Sequence, residues 1–259
     1  MVGVSGLVFQ DVSKTYETRG GPLTVLQDIN VAVAPNEFVC MVGASGCGKS
    51  TLLQCAAGLN RPSSGTITLD GEPVVGPSAD RGMIFQSYTL FPWLTIEENV
   101  GFGLSLDGIS AAERRETVDR YLGVVGLTKF AKAYPRTLSG GMQQRVAIAR
   151  GLANQPRVLL MDEPFGALDA QTRIVMQDFL LEVWRTTHIS ILFVTHDVEE
   201  AVYLGERVYV LRSNPGRVRE ELRPGFPAAR DHHLKRSAAF HSVVDDILDL
   251  LREEASAAM

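Results

Sequence analysis

No run of apolar residues in this 259-residue chain approaches the ~20 that a bilayer-spanning helix requires, and the N-terminus lacks the charged-then-apolar pattern of a secretory signal. Both absences lead us to expect a cytosolic protein. Basic residues are in deficit, with 25 Lys and Arg against 30 Asp and Glu and a net charge of −5. That balance argues against a protein whose main business is neutralising nucleic-acid phosphates, since such binding draws on clustered cations. Cysteine is scarce: Cys40, Cys47 and Cys55 form an odd set without CxxC spacing, which leaves neither a disulfide framework nor a zinc site and reads as reduced thiols. No internal repeat or low-complexity stretch is evident, and the NKxD sequence of GTPases is missing.

What is present suffices for a folded body, since 45% of the residues are apolar. Short runs rich in β-branched and aromatic residues, separated by Gly, Pro and Asn, read as strands over Val4–Phe9, Asn30–Val33, Glu37–Val42, Thr66–Leu69, Met83–Phe85, Val158–Met161, Ile189–Thr195 and Arg207–Leu211. Several are apolar throughout, as buried parallel strands are. Ser50–Ala57 reads as a helix. Between Phe85 and Val158 the pattern turns helical: Ser110 and Glu113 form a capping box ahead of Val118, Tyr121, Leu122 and Val125 on one face, and Gly126 is placed to end the helix. An α-rich insert of about 65 residues therefore interrupts an α/β body. Beyond Leu222 prolines break the chain, Val243, Val244, Ile247, Leu248 and Leu251 mark an amphipathic terminal helix, and the final Ala-Ser-Ala-Ala-Met is expected to fray.

Gly43-Ala44-Ser45-Gly46-Cys47-Gly48-Lys49-Ser50-Thr51 fits GxxxxGK[ST] directly after a strand and at the opening of a helix. The glycines let backbone N–H groups turn inward onto a phosphate, and the helix N-terminus adds a positive dipole end. Lys49 is placed for the β and γ oxygens of ATP, and the Ser50 hydroxyl for Mg²⁺. Asp162 and Glu163 end a buried apolar run, at the carboxyl edge of a sheet where α/β proteins bind ligands. Successive strand residues face opposite sides, so Asp162 can serve the Mg²⁺ shell while Glu163 addresses an attacking water.

Leu138-Ser139-Gly140-Gly141-Met142-Gln143-Gln144-Arg145 resembles the LSGGQ motif of the ABC ATPases. The resemblance runs from about residue 4 to 222 and gathers further elements in the family's order. Tyr16 is similar to the aromatic that stacks on adenine, Gln86 to the glutamine that touches Mg²⁺ and the attacking water, Gly166-Ala167-Leu168-Asp169 to the D-loop, and His196 to the switch histidine at the γ-phosphate. It implies an α/β fold: a P-loop NTPase (RecA-like) core with N-terminal antiparallel strands and an inserted α-helical subdomain. Residues 1–225 would form the nucleotide-binding domain, with the helical subdomain over about 88–155 and a helical tail over 226–259. It further implies catalysis by Glu163, His196 and Gln86; Mg²⁺ at Ser50, Gln86 and Asp162; and ATP shared between the 43–51 loop of one copy and Ser139, Gly140, Gly141, Met142 and Asp169 of a second.

The partners implied are a second copy of the chain, transmembrane permease subunits and, indirectly, a solute-binding protein, with the chain peripheral on the inner face of the cell membrane. Tyr88, Phe91, Pro92 and Trp93 mark the surface where a short permease helix would dock. The stretch from Phe85 to Leu104 is similar to importer ATPases of the nitrate, sulfonate and taurine branch. Two residues depart from the pattern, Met142 for the usual glutamine and Gly166 for the commoner serine, and neither removes a phosphate-contacting group. The competing expectation is an ABC-type ATPase of DNA repair or chromosome maintenance, but only 89 positions separate Lys49 from Leu138, too few for the long coiled-coil arm of that class.

Overall fold

Two strand patterns build two sheets. The computed structural model describes residues 6–106 and 108–257, so Val4 and Ser5 of the first expected strand and Ala258 and Met259 of the expected fraying end lie outside the described residues. Long strands of mixed polarity, β1 (Leu7–Thr18) and β2 (Gly21–Val33), pair antiparallel as a hairpin. The all-buried β3 (Phe38–Gly43) follows and leads into helix α1 (Lys49–Ala56). Next come β4 (Ser64–Leu69), the two-residue β5 (Glu72–Pro73) and β6 (Arg81–Ile84).

The helical insert then contributes α2 (Ile96–Val100), α3 (Ala111–Val124) and α4 (Gly140–Ala153). The chain returns through β7 (Val158–Asp162), α5 (Ala170–Thr187), β8 (Ser190–Thr195), α6 (Val198–Leu204), β9 (Arg207–Arg212) and β10 (Arg217–Leu222), and closes with α7 (Ala238–Ala257). One sheet runs β2-β1-β4-β5, all antiparallel. The other runs β10-β9-β3-β8-β7-β6, parallel except for the edge strand β10.

The period of 2 in a strand sorts the core into layers. Phe38, Cys40 and Val42 of β3 join a cluster with α5, α6 and α7, whereas Val39 and Met41 join one with α1 and the antiparallel sheet. The insert holds a third cluster, built from Ile96, Val100, Leu122, Val125, Val146 and Ala149. Both Thr95–Glu98 and Ser110–Glu113 form capping boxes, and Gly126, at φ +69°, follows the end of α3. The longest helices of the insert are 14 residues, so no coiled-coil arm projects from the described residues.

Helix α7 packs on the main core through Phe240, Val244 and Ile247. Each fully buried side chain of that size stabilises by about 1.5–3 kcal/mol, so these three hold the tail against the body. Among the described residues, no helix is long and apolar enough to cross a membrane.

Candidate active site

Four neighbouring parallel strands end on one edge of the large sheet and deliver the chemistry there. Gly43 closes β3 and opens the 43–51 loop, His196 follows β8, Asp162 closes β7 with Glu163 next, and Gln86 lies two residues past β6. The loop takes its curl from Gly46 and Gly48, whose φ angles of +82° and +97° are left-handed values that glycine adopts freely.

Lys49 is buried, and its Nζ donates to the carbonyls of Gly43 at 2.7 Å and Ala44 at 3.0 Å. No carboxylate among the described residues comes within ion-pair range of it. A desolvated ammonium held only by neutral acceptors is short of negative charge, which is the condition for gripping an anion. Cys47 Sγ lies 3.8 Å from the same Nζ, and burial pushes its thiol up, so it stays protonated and inert.

Ser50 Oγ donates to Asp162 Oδ1 at 2.9 Å. Burial pushes the Asp162 carboxyl above the ordinary aspartate range, and the Ser50 hydrogen bond opposes that shift. Two hard oxygen donors side by side, one on a buried carboxylate, suit Mg²⁺, which takes one or two protein oxygens and completes its shell with water and phosphate. Among the described residues no cluster of three or more His, Cys, Asp or Glu side chains is present, so a metal held wholly by protein is not offered.

Glu163 Oε2 and His196 Nδ1 stand 2.9 Å apart, and with Glu163 ionised it is Nδ1–H that donates. Glu163 has φ +43°, a left-handed backbone held by its N–H donating to the Val194 carbonyl at 2.9 Å. A non-glycine residue kept in that region stores backbone strain that its surroundings must hold. Gln86 completes the group: its Nε2 and Glu163 Oε2 lie 3.9 and 4.0 Å from where a Cβ on Gly166 would stand. With the Glu163 carbonyl at 3.4 Å from the same point, all three are ordinary van der Waals contacts, so the Cβ of the serine usual at Gly166 would fit.

Other expected site residues sit apart from this cluster. Ser139 caps α4, its Oγ accepting from Met142 N–H at 3.4 Å, with the Gly140 and Gly141 amides in the first turn. Among the described residues no hydrogen bond joins Ser139, Gly140, Gly141 or Met142 to the 43–51 loop. The half-buried Met142 side chain packs against the core of the insert. Asp169 caps α5, accepting from Thr172 N–H at 3.0 Å and Thr172 Oγ1 at 2.7 Å. Tyr16 lies on the β1–β2 hairpin, its hydroxyl 3.4 Å from Asn60 Nδ2 and its ring centroid 4.8 Å from Lys14 Nζ.

One supporting pair was not foreseen. Glu200, 4% exposed, accepts from Gln177 Nε2 at 2.9 Å, and burial pushes its carboxyl up. The bond ties α6, which starts two residues after His196, to α5, which Asp169 caps. The pattern Asp197-x-x-Glu200 could have flagged it as a helix start, since Asp197 accepts from Glu200 N–H at 3.1 Å.

Strand order, phosphate loop and acidic strand end define a P-loop nucleoside triphosphatase. The family model for "ABC transporter" matches residues 26–166, more than half of the chain, and the chain belongs to that family. It is an ATPase cassette of that family. It is 54% identical over 252 residues to the nitrate import ATP-binding protein NrtD of Synechocystis sp., covering 95% of each chain. It is 44% identical over 253 residues to the taurine import ATP-binding protein TauB of Jannaschia sp., covering 96% of this chain and 94% of that one. Among solved structures it resembles the dimeric post-hydrolysis state of the ATP-binding cassette MJ0796 bound to ADP and Pi, with TM-score 0.73 and 34% identity over 84% of this chain and 98% of that one.

Proposed function

We propose that this chain is the ATP-hydrolysing subunit of an importer, working as a symmetric pair beneath separate permease subunits and energising uptake of a small oxyanion such as nitrate or a sulfonate like taurine. The observation that carries this is the Glu163–His196 pair at 2.9 Å beside the Ser50–Asp162 pair at 2.9 Å, all on one sheet edge. Relatives named for nitrate and taurine import support the solute class.

Loop amides and Lys49 hold the β and γ phosphates of ATP. Ser50, Asp162 and Gln86 are the groups that would hold Mg²⁺, which when bound neutralises charge on those oxygens. Glu163 takes the proton of the attacking water at Oε2, and His196 orients that carboxylate through Nδ1. Ser139 with the Gly140 and Gly141 amides forms a second anion-binding helix start, and its separation from the loop of its own chain assigns it to the ATP of a twin copy.

ATP thus bridges two subunits, and loss of the γ-phosphate releases them. The insert over about 88–155 shifts as a unit against the rest of the 1–225 nucleotide-binding domain during this cycle, with 226–259 as a C-terminal helical tail. The chain works in the cytoplasm, held at the inner membrane face by its permease, which receives solute from a binding protein. The permease docks on the exposed aromatics near Gln86: Trp93 is 70% exposed and lies tilted against Phe91 at 5.6 Å between centroids, and Phe91 packs on Phe102 at 4.4 Å.

Co-purification of the chain with its permease, followed by ATP hydrolysis in reconstituted vesicles with the binding protein and nitrate or taurine on the face opposite the ATPase, tests the proposal. Stimulation by one of these oxyanions is expected, and a complex that responds to neither contradicts the solute class.

A further inference from the structure

Just beyond Gln86 the chain is fastened to α4 at two points. Arg150, in the last turn of α4, donates from Nη1 to the Thr89 carbonyl at 2.7 Å, and from Nη2 to Thr89 Oγ1 at 2.8 Å and the Tyr88 carbonyl at 3.2 Å. At the opposite end of the same helix, the Tyr88 hydroxyl lies 3.0 Å from where a Cβ on Gly140 would stand. Tyr88 therefore lies along α4, its backbone held at one end and its phenol against the Ser139–Gly141 turn at the other.

Arg150 pairs with no carboxylate among the described residues, and burial pulls its pKa down. Its charge is met only by two carbonyls, a hydroxyl and the face of Phe91, whose centroid is 5.7 Å away. Desolvating a guanidinium for these partners is worthwhile only if their position matters. Thr89 points the same way: its φ is +47°, a left-handed conformation that disfavours a β-branched residue. Such backbone persists where neighbours over-determine it, and Arg150 grips both Thr89 oxygens. Arg150 also lines a groove of about 430 Å³ with Phe85, Thr89, Phe91, Phe102 and Asn154, beside the aromatics assigned to permease docking.

We propose that Arg150 is a positioning residue for ATP hydrolysis, tying the Gln86 loop to α4 so that Gln86, the Ser139 half-site and the groove shift as one piece. This rests on the function proposed above, in which Gln86 and Ser139 serve ATP in opposite half-sites. Arg150 itself touches no nucleotide; it acts through the loop it holds.

The test compares wild type, Arg150→Ala, Arg150→Lys and Thr89→Gly as purified full-length chains, in MgATP hydrolysis well below each melting temperature. Because the 43–51 loop is untouched, KM for ATP stays within about twofold while kcat of Arg150→Ala falls on the order of tenfold. Lysine keeps the charge but lacks the rigid two-armed fork whose Nη1 and Nη2 reach Thr89 and Tyr88 separately, and recovers only part of that loss. Thr89→Gly relieves the backbone strain while removing one acceptor, so it folds even if Arg150→Ala does not, and its kcat falls about threefold or more. Amide hydrogen exchange over residues 86–91 accelerates in all three variants and stays unchanged in β3.

Wild-type kcat in Arg150→Ala or Thr89→Gly overturns the proposal, as does a loss of kcat matched by an equal rise in KM. Glu163→Gln serves as the control. If wild type does not hydrolyse ATP, or Glu163→Gln hydrolyses it normally, the functional assignment fails and takes this one with it. If both controls behave while Arg150→Ala is as active as wild type, the Arg150 assignment alone fails.

Discussion

Replacing Gly48 by alanine separates two demands that the phosphate loop makes on its backbone. At Gly48 φ is +97°, and an added Cβ would stand 2.5 Å from Leu26 Cδ2 and 3.2 Å from Val25 Cγ1. At Gly46 φ is +82° and a Cβ would meet nothing within 4 Å. Gly46→Ala therefore bears only the left-handed backbone, about 1–2 kcal/mol. Gly48→Ala bears that and a contact well inside van der Waals range, which adds roughly 1–3 kcal/mol as Leu26 and the hairpin shift.

For a chain of this size each kcal/mol lowers the melting temperature by about 2–4 °C, so shifts of about 4 °C for Gly46→Ala and of order 10 °C for Gly48→Ala are expected. Thermal unfolding by circular dichroism without nucleotide reads the difference directly. ATP binding falls in both, because both re-aim loop amides. Equal melting shifts for the two variants would refute the packing part of the reasoning, and no shift in either would refute the whole.

His196→Ala removes the partner of Glu163 and should lower kcat about 10²- to 10³-fold while leaving ATP affinity near wild type, as stopped hydrolysis with retained nucleotide binding would show. Asp162 carries a pKa raised by burial, so protonation stabilises the folded apoprotein; that contribution is complete below the ordinary aspartate range and is lost as pH rises through the folded value. Asp162→Asn should therefore melt above wild type at neutral pH without nucleotide, with the gap closing toward acid, and lose Mg²⁺-dependent ATP binding; a lower melting temperature at neutral pH would contradict this. Trp93→Ala, at a side chain 70% exposed, should change stability by less than about 0.5 kcal/mol yet weaken capture of the permease in a pull-down.

The parts of this molecule that were legible in its sequence are those where backbone chemistry and residue type coincide. The 43–51 loop, Asp162 and Glu163 stand where a strand-then-helix pattern and an apolar run place them, and Ser110 with Glu113 capped a helix as their spacing demanded. Strand edges were harder. The sequence pattern marks a first strand over Val4–Phe9, but β1 runs to Thr18, because Asp11, at φ +50°, bulges the chain and breaks the alternation while β1 continues.

The pattern marks the second strand only from Asn30, yet β2 begins at Gly21, since Gly20-Gly21-Pro22 looks like a turn and Asp28 interrupts at φ +51°. Strand β10, Arg-Val-Arg-Glu-Glu-Leu, was not foreseen: an edge strand paired on one side only can be mostly charged, and charge erases the strand signal. The apolar run carries the expected strand to Phe85, but β6 ends at Ile84, where the chain leaves the sheet toward Gln86. Arg150 lay hidden because its partners are backbone carbonyls 61 and 62 residues away, which no local pattern encodes.

The central claim is that one ATP is held between the 43–51 loop of one copy and Ser139 of another. Light scattering of Glu163→Gln after chromatography in MgATP tests it most directly. Slowed hydrolysis should trap a dimer of twice the chain mass that dissolves when Lys49→Ala or Ser139→Arg is added to the same chain. A Glu163→Gln chain that stays monomeric while saturated with ATP, or a dimer indifferent to Ser139→Arg, would contradict it.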